Sequence, residues 1–202
     1  MEKDRNIERE RNLQLENDLL RAQLNPHLVH NAIGLVHEHL IDKSPNDAEI
    51  LEILADITSE AFIQSKFNGA ISLQSEIGTI NSYLRLHNLI KEGTNYLRLN
   101  CEINDSENYK IAPYLLLEPV INFLKYGDLS QEEEPGYIEI NMVNSILTLK
   151  TWNRKARINT ATTHSFGMEN LKSRLAAYYP GKNYLHVEED QYTFTLTLKI
   201  EL

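Results

Sequence analysis

His27 stands in the segment Gln23-Leu-Asn-Pro-His-Leu-Val-His-Asn31, directly after a proline that interrupts an otherwise helical pattern. Proline removes one intrahelical hydrogen bond and its ring collides with the preceding turn, at about 3 kcal/mol in a helix interior. A kink at Pro26 would splay the helix and leave the imidazole of His27 accessible. Histidine is largely neutral and nucleophilic near pH 7, so it can attack a phosphoryl group and later surrender it to an aspartate. Two other readings stay open on spacing alone. His27 could be an incidental surface residue of a helical scaffold. His27 and His30 could instead be paired metal ligands, although no acidic or cysteine partner of the zinc-site kind accompanies them.

The elements that must position this histidine follow from periodicity. From Glu2 to about Asp42, Leu13, Leu20, Leu24, Leu28, Ile33, Val36 and Leu40 recur at helical spacings, so the segment reads as one long amphipathic helix with a charged, solvated start. Turn formers over Asp42–Asp47 precede a second apolar series at Ile50, Leu51, Ile53, Leu54, Ile57, Ala61 and Phe62. Neither helix of this hairpin can bury so wide a stripe against one partner. Two hairpins joined as a four-helix bundle would, so the spacing predicts a homodimer.

A third helix is expected over Leu73 to about Lys91, with Gly93 near its end. Alternation over Tyr96–Ile103 then reads as a strand, Ala112–Tyr126 as an apolar helix stopped by Gly127, and Tyr137–Val143 with Ile146–Trp152 as a hairpin turned at Asn144-Ser145. The polar stretch Asn153–Ser165 reads as a mobile loop. A helix over Gly167–Tyr179, a turn at Pro180-Gly181 and a final strand pair complete the chain. The fold class is therefore α+β, with a helical hairpin domain over 1–68 and an α/β domain over 69–202.

Composition narrows the partners. With 20 Lys and Arg against 29 Asp and Glu, the net charge of −9 argues against nucleic acid or an anionic membrane surface. No run approaches the roughly 18 apolar residues of a membrane span, and the charged start is unlike a signal peptide. The chain reads as soluble, either by itself or as the soluble portion of a membrane-bound sensor. The single cysteine, Cys101, is expected as a buried free thiol in a strand, which suits a reducing cytoplasm.

The box around His27 resembles the phosphoacceptor box of LytS-like sensor histidine kinases, close to Gln-x-Asn-Pro-His-Phe-Leu-Phe-Asn, with Gln23, Asn25, Pro26, His27 and Asn31 matching. The resemblance continues through Tyr83-Leu-Arg-Leu-His87, similar to that family's connecting helix, and covers most of the chain. Ile111–Gly127 is similar to the helix that in the family reads roughly Ile-Pro-Pro-Leu-Leu-Leu-Gln-Pro-Leu-Val-Glu-Asn-Ala-Ile-Lys-His-Gly. Ser165–Leu175 resembles Gly-x-Gly-Leu-x-Asn-x-x-x-Arg-Leu.

The resemblance implies a dimeric four-helix bundle followed by a two-layer α/β sandwich of the GHKL ATPase type. It also implies autophosphorylation of a histidine from ATP with Mg²⁺ and transfer to an aspartate of a response-regulator receiver domain. It makes His27 the phosphoacceptor with Asn31 beside it, and Asn122 the magnesium ligand. Lys125, Gly127, Asn153, Gly167, Asn170 and Arg174 become nucleotide-binding positions. The chain departs from the pattern where Ile121 replaces the carboxylate before Asn122, Tyr126 replaces a histidine, the adenine-recognising Asp-x-Gly motif is absent with only Asn153 at a comparable place, and Ser165 replaces a glycine. Three functions are therefore weighed: a working kinase, a degenerate pseudokinase or phosphotransfer module that does not use ATP itself, and a coiled-coil scaffold.

Overall fold

A computed structural model of the chain describes residues 26–66, 70–91, 94–156 and 164–202. The chain divides between Phe62 and Ile63 into two compact units.

The first unit is helical. Helix α1 spans Pro26–Leu40 and α2 spans Pro45–Lys66. The expected first helix was to reach Asp42. It ends at Leu40 because the chain turns there, with the amides of Lys43 and Ser44 both donating to the Leu40 carbonyl. Pro45 takes the first helical position of α2, where its missing N–H costs nothing, and the Ser44 hydroxyl donates to Asp47 at 2.6 Å. Leu35, Val36 and Ile41 are exposed, whereas Ala48 and Ile53 of α2 are buried.

The second unit opens with β1, Ile71–Ser72, and α3, Leu73–Ile90, whose first turn is capped by Ser72: the Ser75 amide donates to its hydroxyl oxygen at 3.1 Å. Strand β2 covers Leu97–Glu102, and β3, Lys110–Ile111, pairs antiparallel with β1. Helix α4, Leu117–Tyr126, is followed by β4, Gly127–Asp128, then by β5, Gly136–Val143, and β6, Ile146–Lys155. Helix α5 is His164–Tyr178, and β7, Asn183–Glu189, and β8, Thr193–Glu201, end the chain.

The strands form a sheet in the order β2-β5-β6-β8-β7, with β4 on β6. Only the β2–β5 pair is parallel, so the sheet is mixed. The turn between β5 and β6 has φ of 51° at Asn144 and 62° at Ser145, the left-handed pair that matches the twist of a two-residue hairpin. Alternation does the rest. Ile138, Ile140, Leu147, Leu149, Leu196, Leu198 and Ile200 are buried on one face against Leu73, Ile80, Val120, Phe123, Leu124, Leu171 and Leu175 of the helices. Each such side chain contributes roughly 1.5–3 kcal/mol on burial. The intervening residues, among them Lys150 and Lys199, face solvent. The result is the expected α+β fold, with one helical layer on one mixed sheet.

Three expectations are corrected. The helix expected from Ala112 begins only at Leu117, because Pro113 and a left-handed Tyr114, at φ 58°, form a turn first. The loop expected over Asn153–Ser165 is shorter at both ends. Strand β6 runs on to Lys155, paired with β8 through Asn153↔Phe194 and Arg154↔Thr193, and α5 already begins at His164. Cys101 lies on β2 as expected but is exposed, since β2 is an edge strand with β5 as its sole strand neighbour.

Candidate functional site

Asn153 is where the inner face of β6 turns polar. Strand alternation buries Leu147, Leu149, Thr151 and Asn153 in succession, and Asn153 is only 2% exposed. Its Nδ2 donates to the Arg154 carbonyl at 2.7 Å, while its Oδ1 is buried without a hydrogen-bond partner. An unsatisfied buried acceptor costs about 1–3 kcal/mol, so an asparagine held this way is poised for a donor from elsewhere.

Helix α4 comes close enough to enclose that acceptor because of Gly127. The Gly127 amide donates to the Phe123 carbonyl and ends the helix, and the residue then pairs with Lys155 across β4 and β6. A Cβ at Gly127 would stand 2.5 Å from the Phe123 oxygen and 3.3 Å from Asn153 Cβ. Only a glycine fits between the end of α4 and Asn153.

A cavity of about 440 Å³ opens there, lined by Asn122 and Tyr126 of α4, Asn153 and Lys155 of β6, Ala156, Met168 and Lys172 of α5, Val187 and Glu189 of β7, and Phe194 of β8. That volume and that mixture of apolar walls with few polar groups suit a small organic ligand. Lys155 Nζ donates to the Asp190 carbonyl at 2.6 Å and pairs with Glu189 at 3.1 Å, which fixes one rim of the cavity.

Of the residues singled out from the sequence, Asn122 and Asn153 meet at this cavity, and Gly127 packs behind it. Lys125 is exposed with its ammonium 5.0 Å from the centre of the Tyr126 ring, and Asn170 is exposed on α5; neither lines the cavity. Gly167 lies within α5, after His164 has already begun the helix, and not at its first position as expected. Arg174 is turned elsewhere: it donates to the Pro113 carbonyl and pairs with Glu118 at 3.7 Å. His27 and Asn31 belong to α1, while Gln23, Asn25 and the kink expected at Pro26 involve residues outside the described ones.

Sequence reasoning missed Lys155, Lys172, Met168, Val187, Glu189 and Phe194. The alternation Thr151, Asn153, Lys155 was the available signal: continued past Trp152 it carries β6 to the cavity and puts Lys155 on its inner face. Glu76 was missed too. This α3 carboxylate is fully buried and accepts from the amides of Tyr114, Leu116 and Leu117. Burial pushes its carboxyl up from the usual range, opposed by these three amides and by Arg174. Glu118 is likewise held above the usual range by burial, against the pull of Arg174.

The donors fit a nucleotide better than a resident metal. An exocyclic amino group could satisfy Asn153 Oδ1, and Met168, Val187 and Phe194 offer apolar surface to a planar base. For magnesium, Asn122 has Ile121 beside it, packed against the core, where a carboxylate would be useful. Among the described residues no group of three His, Cys, Asp or Glu could hold a metal ion, and no helix is long and apolar enough to cross a membrane.

Comparison with curated proteins gives no match. Solved structures similar to this chain include the histidine kinase domain of the Erythrobacter litoralis EL346 blue-light activated histidine kinase, at 10% identity and a TM-score of 0.49, with 96% of this chain and 94% of that one covered. The Acinetobacter baumannii histidine kinase AdeS is another, at 12% identity and a TM-score of 0.45, with 88% and 95% covered. Residues 15–109, which span the box around His27, the helical hairpin and α3, match the family model described as Histidine kinase.

Proposed function

We propose that the chain is a sensor histidine kinase core of two-component signalling. In this reading ATP binds in the cavity between Asn122 and Asn153, and His27 takes the γ-phosphoryl group and passes it to a response-regulator aspartate. The family match over residues 15–109 supports the histidine-kinase role. The observation that carries the nucleotide half is the buried, unpartnered Oδ1 of Asn153, a residue that lines a cavity of about 440 Å³. Adenine presents an amino donor to such an acceptor. Lys172 and Lys155 bring positive charge to the cavity that Asn122 also lines, and phosphates need such charge. In the transfer, an imidazole nitrogen of His27 forms a bond to the γ-phosphorus as the bond to the β-phosphate oxygen breaks and ADP leaves. A carboxylate oxygen of the regulator then displaces the imidazole. Exposed Leu35, Val36 and Ile41 support a homodimer through the helical hairpin.

A second reading is favoured by Ile121. Its side chain packs against the core beside Asn122, so that position supplies no charge for a metal-assisted transfer, and the cavity would bind nucleotide without making phosphohistidine. Calorimetry with ATP and magnesium, together with incorporation of γ-labelled phosphate into wild type and His27→Ala, separates the two. Binding with His27-dependent labelling supports the kinase. Binding without labelling supports the second reading, and a folded protein that binds no ATP refutes the nucleotide half of both.

A further inference from the structure

Glu76 is the one charged side chain among the described residues that is fully buried, and it does not line the cavity. Its Oε2 accepts from the Tyr114 amide at 2.8 Å, and its Oε1 accepts from the amides of Leu116 at 2.9 Å and Leu117 at 3.1 Å. These are the free donors at the start of α4, and no side chain of the local sequence caps them. The cap comes from α3, some forty positions earlier in the chain.

Arg174 of α5 works on the same turn from another side, donating to the Pro113 carbonyl and pairing with Glu118 in the first turn of α4. The Tyr179 hydroxyl oxygen accepts from the Ala112 amide at 3.0 Å. Helix α4 has ten residues, and a helix that short is not stable by propensity alone. Packing of Leu117, Val120, Phe123 and Leu124 in the core holds it, and contacts at its two ends set where it starts and stops: Gly127 at the end beside Asn153, and Glu76 with Arg174 at the start. Asn122 lies between them.

We infer that Glu76 and Arg174 are positioning residues for the nucleotide cavity, holding α4 so that Asn122 faces Asn153. This rests on the nucleotide reading of the cavity. It also gives Arg174 a role different from direct ligand contact. The carboxylate is needed for its geometry: two oxygens supply enough lone pairs for three amides, whereas the amide of a glutamine would turn an NH₂ group toward one of them.

The test compares Glu76→Gln, Arg174→Lys and Ile200→Val in the full chain, each first measured for melting temperature. Hydrogen exchange of the α4 amides is followed without nucleotide, and ATP affinity is then measured by calorimetry. For Glu76→Gln and Arg174→Lys, α4 exchange should rise about tenfold relative to β5 and β6, and ATP binding should weaken about tenfold, the factor carried by one hydrogen bond to a charged group. Ile200→Val, a core change away from the cavity, should raise exchange evenly and leave affinity within about twofold. Wild-type exchange in α4, or a rise spread evenly over the unit, overturns the positioning role. Faster α4 exchange with unchanged ATP affinity overturns its link to the cavity. Absence of ATP binding by wild type removes the nucleotide reading, while the exchange comparison still decides whether Glu76 and Arg174 set α4. Should Glu76→Gln fail to fold, Arg174→Lys carries both measurements.

Discussion

Replacing Asn153 by leucine should separate stability from binding. In the folded protein the side chain makes one hydrogen bond, Nδ2 to the Arg154 carbonyl at 2.7 Å, and leaves Oδ1 buried and unpaired. Losing the first costs about 0.5–1.5 kcal/mol, and removing the second relieves about 1–3 kcal/mol of desolvation. Leucine has the branched shape of asparagine but is larger, and because Asn153 lines the cavity its methyl groups can extend into it, so the two terms roughly cancel. The melting temperature should stay within about 4 °C of wild type, or rise. Without nucleotide, a 2% exposed polar residue thus becomes nearly dispensable. Binding should respond differently. If ATP binds as proposed, the acceptor for the adenine amino group is gone, and an unpaired donor in a closed site loses about 1–3 kcal/mol, so ATP affinity should fall about tenfold or more. Thermal melts followed by circular dichroism, and calorimetry with ATP, measure both quantities. A variant that loses more than about 3 kcal/mol of stability and binds ATP like wild type would make Asn153 an architectural residue and refute the reasoning.

Gly127→Ala should lower stability by about 1–3 kcal/mol, because the new Cβ meets the Phe123 carbonyl at 2.5 Å and Asn153 behind it. A wild-type melting temperature would show that α4 can move aside freely. Ser145→Gly should stabilise by about 1 kcal/mol, since Ser145 holds a φ of 62° that a side chain resists, and chemical denaturation reads the gain. An unchanged midpoint would mean that the turn is not strained. The Asp190 carboxylate accepts from the amides of Tyr192 and Thr193, both at 2.7 Å, and these bonds hold it below its usual value of 3.8. Its folded value is the lower one, so its contribution is complete above pH 3.8 and is lost as the pH falls through the folded value. Asp190→Asn keeps an acceptor without the titration, so the acid limb of its stability curve should be shallower than wild type; an identical limb would count against the assignment.

What could be read from the sequence was what depends on neighbours along the chain. The Asn144-Ser145 hairpin, the start of α3 at Leu73 and the stop at Gly127 each rest on a local signal, and each is where the residues place it. The α+β order followed from periodicity. Asn122 and Asn153 were singled out through the family resemblance, and their meeting depends on the pairing of β4 with β6. The start of α4 could not be read this way. Its apolar pattern extends back to Ala112, yet the helix waits until Leu117, because a carboxylate from α3 satisfies the amides of a left-handed turn that nothing nearby would stabilise. Arg174 was misleading for a related reason: its position in a motif-like run suggested a ligand, while its partners, the Pro113 carbonyl and Glu118, come from across the helical layer.

The departures from the resembled pattern differ in kind between the Asn153 and Asn122 ends of the cavity, and that difference has a physical sense. At the Asn153 end, asparagine stands for the aspartate of the pattern but keeps a buried acceptor, beside apolar Met168, Val187 and Phe194 and the glycine that lets α4 approach. Several of these also belong to or border the core, so packing alone would retain them. At the Asn122 end Tyr126 and Ile121 both depart, and the apolar side chain of Ile121 gains contacts with the core while giving up a charge useful for metal-assisted chemistry. A carboxylate at that place would be costly unless an ion or a hydrogen-bond donor met it. The exchange of a carboxylate for isoleucine thus favours stability over transfer. It is why nucleotide binding and phosphohistidine formation have to be measured separately in this protein, with His27 as the reporter of the second.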